Sequence, residues 1–451
     1  MRRRSFLRLG AGTATALAFG PDFWRAAYAE PAHTGSGPYG VLGERAPDGN
    51  GIVLPEGFRS RELARGGQPV RGTDHTWHVF PDGGATFPVD DEGGWIYVSN
   101  SEQPSAGAGG AGMLRFDADG EVVDARPILD GTTTNCAGGP TPWGTWLSCE
   151  EFEGGRVWEC DPTGERPAEV RPALGTFVHE AVAVDPAGER LYLTEDRPDG
   201  RLYRFTPEAY PDLDAGVLEV AAVDASGAVR WLTVPDPTGR SVPTRAQVPA
   251  STAFNGGEGI WFDSGVAYFT TKGDDRVRSL TVADDRIDLV YDPTLIPEPP
   301  LRGVDNVTVA PSGDLYVCED GGDMELVLIT PEREVTQFLR VLGQDGSELT
   351  GCAFDPSGKR LYLSSQRGGG GPGITYEVTG PFRQPDPPPA PSTSLAAVGS
   401  GDDGGSDLAL PLGLGGAAVV AAVGGAVAWR RRGNQAATPD EDDGERAGPV
   451  G

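Results

Sequence analysis

Histidine is nearly absent. His33, His75, His78 and His179 are the only four in 451 residues. That excludes a His-rich zinc site, and no Ser-His-Asp combination stands out for nucleophilic catalysis. Cysteine is also sparse. Cys136, Cys149, Cys160, Cys318 and Cys352 form an odd set of five, which is no disulfide scaffold and leaves at least one thiol as a ligand or an apolar core residue. Positive charge is in deficit: 37 Lys and Arg stand against 66 Asp and Glu, a formal net charge of −29. A surface of that sign repels nucleic acid and anionic lipid. It favours cations, calcium in particular, whose preferred ligands are carboxylate oxygens. Residues 38–382 contain no convincing amphipathic helix, and Gly and Pro punctuate short runs of Val, Leu, Tyr and Trp. Such a body is built of many short strands.

One phrase recurs in that body. Val184-Asp-Pro-Ala-Gly-Glu-Arg-Leu-Tyr192 and Phe354-Asp-Pro-Ser-Gly-Lys-Arg-Leu-Tyr362 are the clearest copies, with variants leading to Tyr97, Trp146, Tyr268 and Tyr316. It reads as strand, tight turn, strand: Asp-Pro-x-Gly makes the turn and the apolar-aromatic run makes the second strand. The aromatic anchors recur roughly every 45–50 residues, the length of one four-stranded propeller blade. A longer gap over residues 196–254 marks an insertion. Six anchors predict an all-β, six-bladed β-propeller over residues 38–382.

The repeat places acids at its edges. A carboxylate precedes the first strand of several blades, as His179-Glu180, Glu258-Gly259, Asp305-Asn306 and Glu348. Others follow the second strand, as Glu150-Glu151, Glu195-Asp196 and Glu319-Asp320. Equivalent positions of a propeller converge on one mouth of its central channel. Carboxylates brought together there repel one another unless multivalent cations join them, and hard oxygen ligands suit calcium, magnesium or ferric iron. Such pairs can also end strands as solvated turn residues. Cys136 begins its own blade at the corresponding place, either as a soft ligand or as a buried structural residue.

The two ends carry different signals. Arg3-Arg4, then Ser5, Phe6, Leu7 and Arg8, has the pattern of a twin-arginine export signal, with Ala27-Tyr28-Ala29 offering a cleavage site. Residues 1–29 are therefore expected to be a signal peptide read by the twin-arginine export machinery. Residues 383–407 are rich in Pro, Ser, Gly and Asp and read as a disordered stalk. Residues 408–429 carry no charge and are followed by Arg430-Arg431-Arg432, which predicts a transmembrane helix with residues 430–451 as a cytoplasmic tail. The expected location is the cell membrane, in a single pass, with the propeller outside the cytoplasm.

The run NCAGGPTPWGTWLSCEE at residues 135–151 resembles the signature of the PhoX-type alkaline phosphatases. So do, in the same order, VHEAVAVDP at 178–186, LYLTED at 191–196, Glu258-Gly259, DNVTVAPSGDLYVCEDG at 305–321 and ELTGCAFDPSGKRLYLSSQ at 348–366. The resemblance covers nearly all of the body. It implies a propeller that holds Fe(III) and Ca2+ at one mouth and hydrolyses small phosphate esters outside the cytoplasm. On the matching positions it implies metal contacts from Cys136, Glu150, Glu180, Glu258 and Asp305; the repeat's own placing of acids offers Glu151, Glu195, Glu319 and Glu348 as further candidates. Two positions depart from the pattern. Gly256 stands where the family carries an Arg that helps hold phosphate, and Arg367 stands where it carries a His. Lys272, Arg276, Arg302 or Arg367 could supply the replacement cation. A propeller that binds metal without catalysis, or a lactonase-like hydrolase using calcium alone, are the other readings of the residues.

Overall fold

In the computed structural model, which describes residues 32–89 and 93–385, the recurrent hairpins become six sheets arranged in a ring. Blade 1 comprises Pro81–Pro88, Trp95–Ser101, Gly109–Phe116 and Val122–Thr132. Blade 2 comprises Asn135–Pro140, Trp146–Glu150, Val157–Cys160 and Glu169–Val170. Blade 3 comprises His179–Asp185, Arg190–Glu195, Leu202–Ala209, Asp212–Val223 and a fifth strand, Val229–Thr233. Blade 4 comprises Gly257–Asp263, Val266–Thr271, Arg276–Thr281 and Arg286–Tyr291. Blade 5 runs Val304–Val309, Leu315–Glu319, Glu325–Ile329 and Glu334–Val341, and the short strands His33–Thr34 and Ile52–Val53 pair with its outer edge. In blade 6, Leu349–Phe354, Arg360–Ser365 and Ile374–Thr379 are completed by Arg59–Arg65 from the start of the body. This last pairing closes the ring by joining its two ends. Ordered strand begins at His33, a few residues ahead of the expected boundary at 38, and the expected insertion is the long hairpin and fifth strand of blade 3. The expected signal peptide, stalk, membrane helix and tail lie outside the described residues.

Each blade's first strand lies innermost, and these strands pack side by side around the axis. The anchors Tyr97, Trp146, Tyr192, Tyr268, Tyr316 and Tyr362 all fall in second strands and are all buried. They fill the seams between neighbouring blades. Tyr97 of blade 1 stacks on Tyr362 of blade 6 at 5.0 Å, and Trp95 Nε1 donates to Tyr362 Oη at 2.9 Å. The hydrophobic core is thus a set of interblade seams rather than one central mass.

The turns explain the recurring Asp. In blade 6, Asp355 Oδ1 accepts from the backbone N–H of Lys359 and of Arg360, both at 2.8 Å, and Oδ2 accepts from Ser357 N at 3.2 Å. In blade 3, Asp185 Oδ1 accepts from Ala187 N and Gly188 N at 3.1 and 2.9 Å. Asp355→Ala strands several part-buried backbone donors at this turn. It is expected to cost about 1–3 kcal/mol, read as a lower urea midpoint with metal content unchanged.

Candidate metal centre

All six innermost strands break register at their first turn of pairing. The shifts lie between Pro81 and Gly84, Asn135 and Gly138, His179 and Val182, Gly257 and Ile260, Val304 and Val307, and Thr350 and Ala353. A bulge re-aims the side chain within it. The first residues inside the six bulges are Asp82, Cys136, Glu180, Glu258, Asp305 and Gly351. Five of the six can ligate a metal, and all five meet at one mouth of the channel. Glu180, Glu258 and Asp305 offer oxygens within 4.8 Å of one another. Cys136 Sγ lies 3.4 Å from Glu180 Oε1.

Immediately after the second strands comes an outer ring: Glu102, Glu151, Asp196, Lys272, Asp320 and Gln366. Its acids complete three further groups of the same compactness: Glu102 with Cys136 and Glu151, Asp82 with Glu102 and Glu348, and Asp305 with Asp320 and Glu348. Bonds between blades fix the bulges. Asn100 Nδ2 donates to the Cys136 carbonyl at 3.1 Å, Thr194 Oγ1 to the Glu258 carbonyl at 2.5 Å, and Thr270 Oγ1 to the Asp305 carbonyl. Asn306 Nδ2 donates to Asp305 Oδ1 at 3.0 Å, while its own Oδ1 accepts from Gly351 N at 2.7 Å. Gln366 Nε2 spans Asp82 and Glu102.

Directly below the bulges the channel narrows to a cavity of about 30 Å³ lined by Gly83, Ala137, Ala181, Gly259, Asn306 and Cys352. Small residues are required there. A Cβ on Gly83 would stand 2.5 Å from Ala137 Cα, and one on Gly259 2.7 Å from Asn306 Cα. The cavity has room for about one water. A larger depression of about 750 Å³ borders Trp95, Asp355 and Lys359, at the opposite, turn end of blades 1 and 6, away from the mouth acids.

The electrostatics of the cup are strained in the absence of cations. Burial, then Glu258, Glu151, Asp305 and Asp82, pushes the Glu180 carboxyl well above its usual range. Burial, then Glu102 and Asp305, does the same to Asp82. Glu348 is pushed up to about 10 by burial and by Asp305, Asp82 and Asp320. Burial raises Asp305 to about 7 against the opposing pull of Lys272. Burial, then Asp82 and Glu180, also lifts the Cys136 thiol. Glu180 Oε2 is buried and accepts no hydrogen bond. A carboxylate with one orphaned oxygen and the other beside a thiol, in a cup of mutually repelling acids, fits bound multivalent cations: three groups are all oxygen and one contains sulfur.

Of the residues singled out from the sequence, Cys136, Glu151, Glu180, Glu258, Asp305 and Glu348 come together here. Glu150, Glu195 and Glu319 belong to none of these groups. They precede the outer-ring residues, and consecutive strand residues face opposite ways. Glu150 accepts from Thr133 N and Arg156 N, Glu319 from Arg302 N and Glu325 N, and Glu195 from Arg201 N and Tyr203 Oη. All three brace loops. Among the cations, Lys272 and Arg367 reach the mouth: Arg367 lies 2.6 Å from Glu348 Oε1 and 3.4 Å from Glu102 Oε2. Arg276 pairs with Asp274 and Asp292, and Arg302 is exposed, 4.0 Å from Asp275. His179 is buried against Phe177, with Nε2 3.2 Å from the Gly175 carbonyl. Asp82 and Glu102 were missed. Their signals were Asp82-Gly83, which parallels Glu258-Gly259, and the placing of Glu102 after Tyr97 as Glu151 follows Trp146.

A family model described as "Alkaline phosphatase PhoX" matches residues 99–288 and 292–369. Pseudomonas fluorescens PhoX in complex with vanadate, a transition state analogue, superposes with a TM-score of 0.60 at 17% identity, covering 78% of this chain and 97% of that one. A gluconolactonase from Xanthomonas campestris gives a TM-score of 0.42 at 14% identity, covering 78% and 95%. A regucalcin from Agrobacterium tumefaciens, a calcium-binding protein, gives 0.38 at 15%, covering 73% and 97%. No curated protein sequence matches the chain.

Proposed function

The chain belongs to the PhoX alkaline phosphatase family of metal-dependent phosphatases, and on that premise we propose that it hydrolyses small phosphate esters outside the cytoplasm with Fe(III) and Ca2+ held at the propeller mouth. The observation that carries the reading is the orphaned Oε2 of Glu180, whose other oxygen lies 3.4 Å from Cys136 Sγ, inside a ring of acids that burial and mutual repulsion push above their usual range. The mixed group of Glu102, Cys136 and Glu151 would hold iron, and the all-oxygen groups would hold calcium. When bound, such cations neutralise non-bridging phosphoryl oxygens and raise the nucleophilic strength of water at neutral pH.

The chain's own residues do the rest. Gln366 and Asn306 hold Asp82, Glu102 and Asp305 in place, so the cup is organised before substrate arrives. Arg367, at the rim and paired with two acids, can offer guanidinium donors to phosphoryl oxygens. Gly256 sits at φ +66°, where its Cβ would lie 3.4 Å from Asp196 Oδ1 and 3.5 Å from Lys272 Cβ. It therefore borders the mouth, and an Arg there would need a left-handed backbone that side chains disfavour.

The test is metal analysis of the purified body together with an aryl-phosphate assay. Iron and calcium with turnover support the proposal, metals without turnover point to a non-catalytic metal binder, and calcium without iron removes the iron assignment. Cys136→Ser is expected to lose iron while keeping the fold, and equal iron content in variant and wild type would remove Cys136 from the ligand set. Export and membrane attachment rest on the sequence of residues 1–29 and 408–429. Deletion from residue 408 onward should release activity into the medium.

A further inference from the structure

Five of the six outer-ring residues carry oxygen donors: Glu102, Glu151, Asp196, Asp320 and Gln366. The sixth is Lys272. Its Nζ lies 3.1 Å from Glu258 Oε1 and 3.3 Å from Asp320 Oδ2. Glu258 belongs to one compact carboxylate group and Asp320 to another, so the ammonium sits at the junction of the two. It is no ordinary surface ion pair, because the Glu258 side chain is only 2% exposed.

We propose that Lys272 is a built-in cation of this centre, its ammonium standing between Glu258 and Asp320 where an oxygen donor from this blade would instead let the two carboxylates bind a further divalent ion. The inference rests on reading the mouth as a metal centre and adds how that centre is charged. A lysine differs from a metal at this junction in three respects. A chelator cannot remove it. It carries half the charge of a divalent ion. It also carries N–H donors, which a metal lacks and which an incoming phosphoryl oxygen can accept from.

The test compares wild type, Lys272→Glu and Lys272→Gln, each purified, stripped, and dialysed to equilibrium against calcium. Lys272→Glu restores the carboxylate found after the second strand in four other blades. It is expected to bind about one additional calcium ion per chain. Lys272→Gln frees Glu258 and Asp320 without adding charge. Both variants should show a larger calcium-induced rise in melting temperature than wild type, and a lower melting temperature in chelator. Calcium content and calcium-induced shift equal to wild type in Lys272→Gln would overturn the inference even if Lys272→Glu does not fold. Wild type that takes up no calcium would overturn the metal-centre reading and this inference with it, whereas normal uptake with unchanged variants would overturn the inference alone.

Discussion

Asp305→Asn is expected to abolish phosphatase activity and, in the metal-free protein, to raise the melting temperature. Asp305 is shared by two of the compact carboxylate groups, one with Glu180 and Glu258 and one with Asp320 and Glu348. Losing its charge therefore weakens two cation positions at once. A fall in kcat/KM of about 10³ or more follows when charge stabilisation at a developing transition state is removed in this way. Stability should move the other way. Asp305 is buried and its carboxyl is raised to about 7, with Asp320, Asp196 and Glu102 repelling it. The amide keeps the shape and an oxygen to accept from Asn306 Nδ2, a bond of 3.0 Å in the native chain, but carries no charge to desolvate. A gain of about 1–3 kcal/mol without metal is expected, seen as a melting temperature higher by a few degrees in chelator. A variant as active as wild type would place Asp305 outside the centre. An inactive variant that is also less stable without metal would mean that its carboxylate serves the fold.

The opposed signs reflect how this site is built. The fold was legible in the sequence because its signals repeat: the aromatic anchors from Tyr97 to Tyr362 and the turn Asp at 185 and 355 specify the same hairpin in blade after blade. The site was legible only as far as the repeat carried it. Glu180, Glu258 and Asp305 were found because each precedes an apolar strand, as were the acidic pairs after the second strands. Which member of each pair faces the axis was not found. Strand residues alternate sides, so an error of one position exchanges a metal-facing acid for a loop brace. That is how Glu150, Glu195 and Glu319 came to stand beside Glu151, Asp196 and Asp320. Asp82 was hidden because blade 1 opens with Pro81-Asp-Gly-Gly-Ala, which has no apolar run to announce a strand. The bulge common to all six innermost strands leaves no compositional mark, since its second residues are Gly83, Ala137, Ala181, Gly259, Asn306 and Cys352. They share small or polar character and close packing at the channel floor, which is a tertiary requirement.

Stripped of metal, the protein should lose stability as pH rises, and the loaded protein should not. Glu348 is held up to about 10 and Asp305 to about 7, both primarily by burial and then by neighbouring acids, whereas carboxylates of an unfolded chain titrate near about 4. Above that value the unfolded chain gives up these protons while the folded chain still keeps them. The folded state then binds more protons, so its stability falls with rising pH until the folded values are passed. Bound cations reverse the sign at the mouth: they favour the ionised acids, and it is low pH, where protons compete for the same oxygens, that weakens them. Glu195, raised to about 7, and Glu319, raised to about 8, lie outside the mouth groups and contribute equally with and without metal. The difference between loaded and stripped protein therefore isolates the mouth. That difference should be small near about pH 5 and should widen to a melting-temperature gap on the order of 10 °C by about pH 9, several kcal/mol spread over the clustered acids. Thermal melts across that range, with calcium and iron supplied or with a strong chelator, decide the matter. A stripped protein whose melting temperature holds steady or climbs with pH would mean that the acids of the mouth are already balanced by the chain itself, with Lys272 and Arg367 sufficient as counter-charges and no energetic demand for metal.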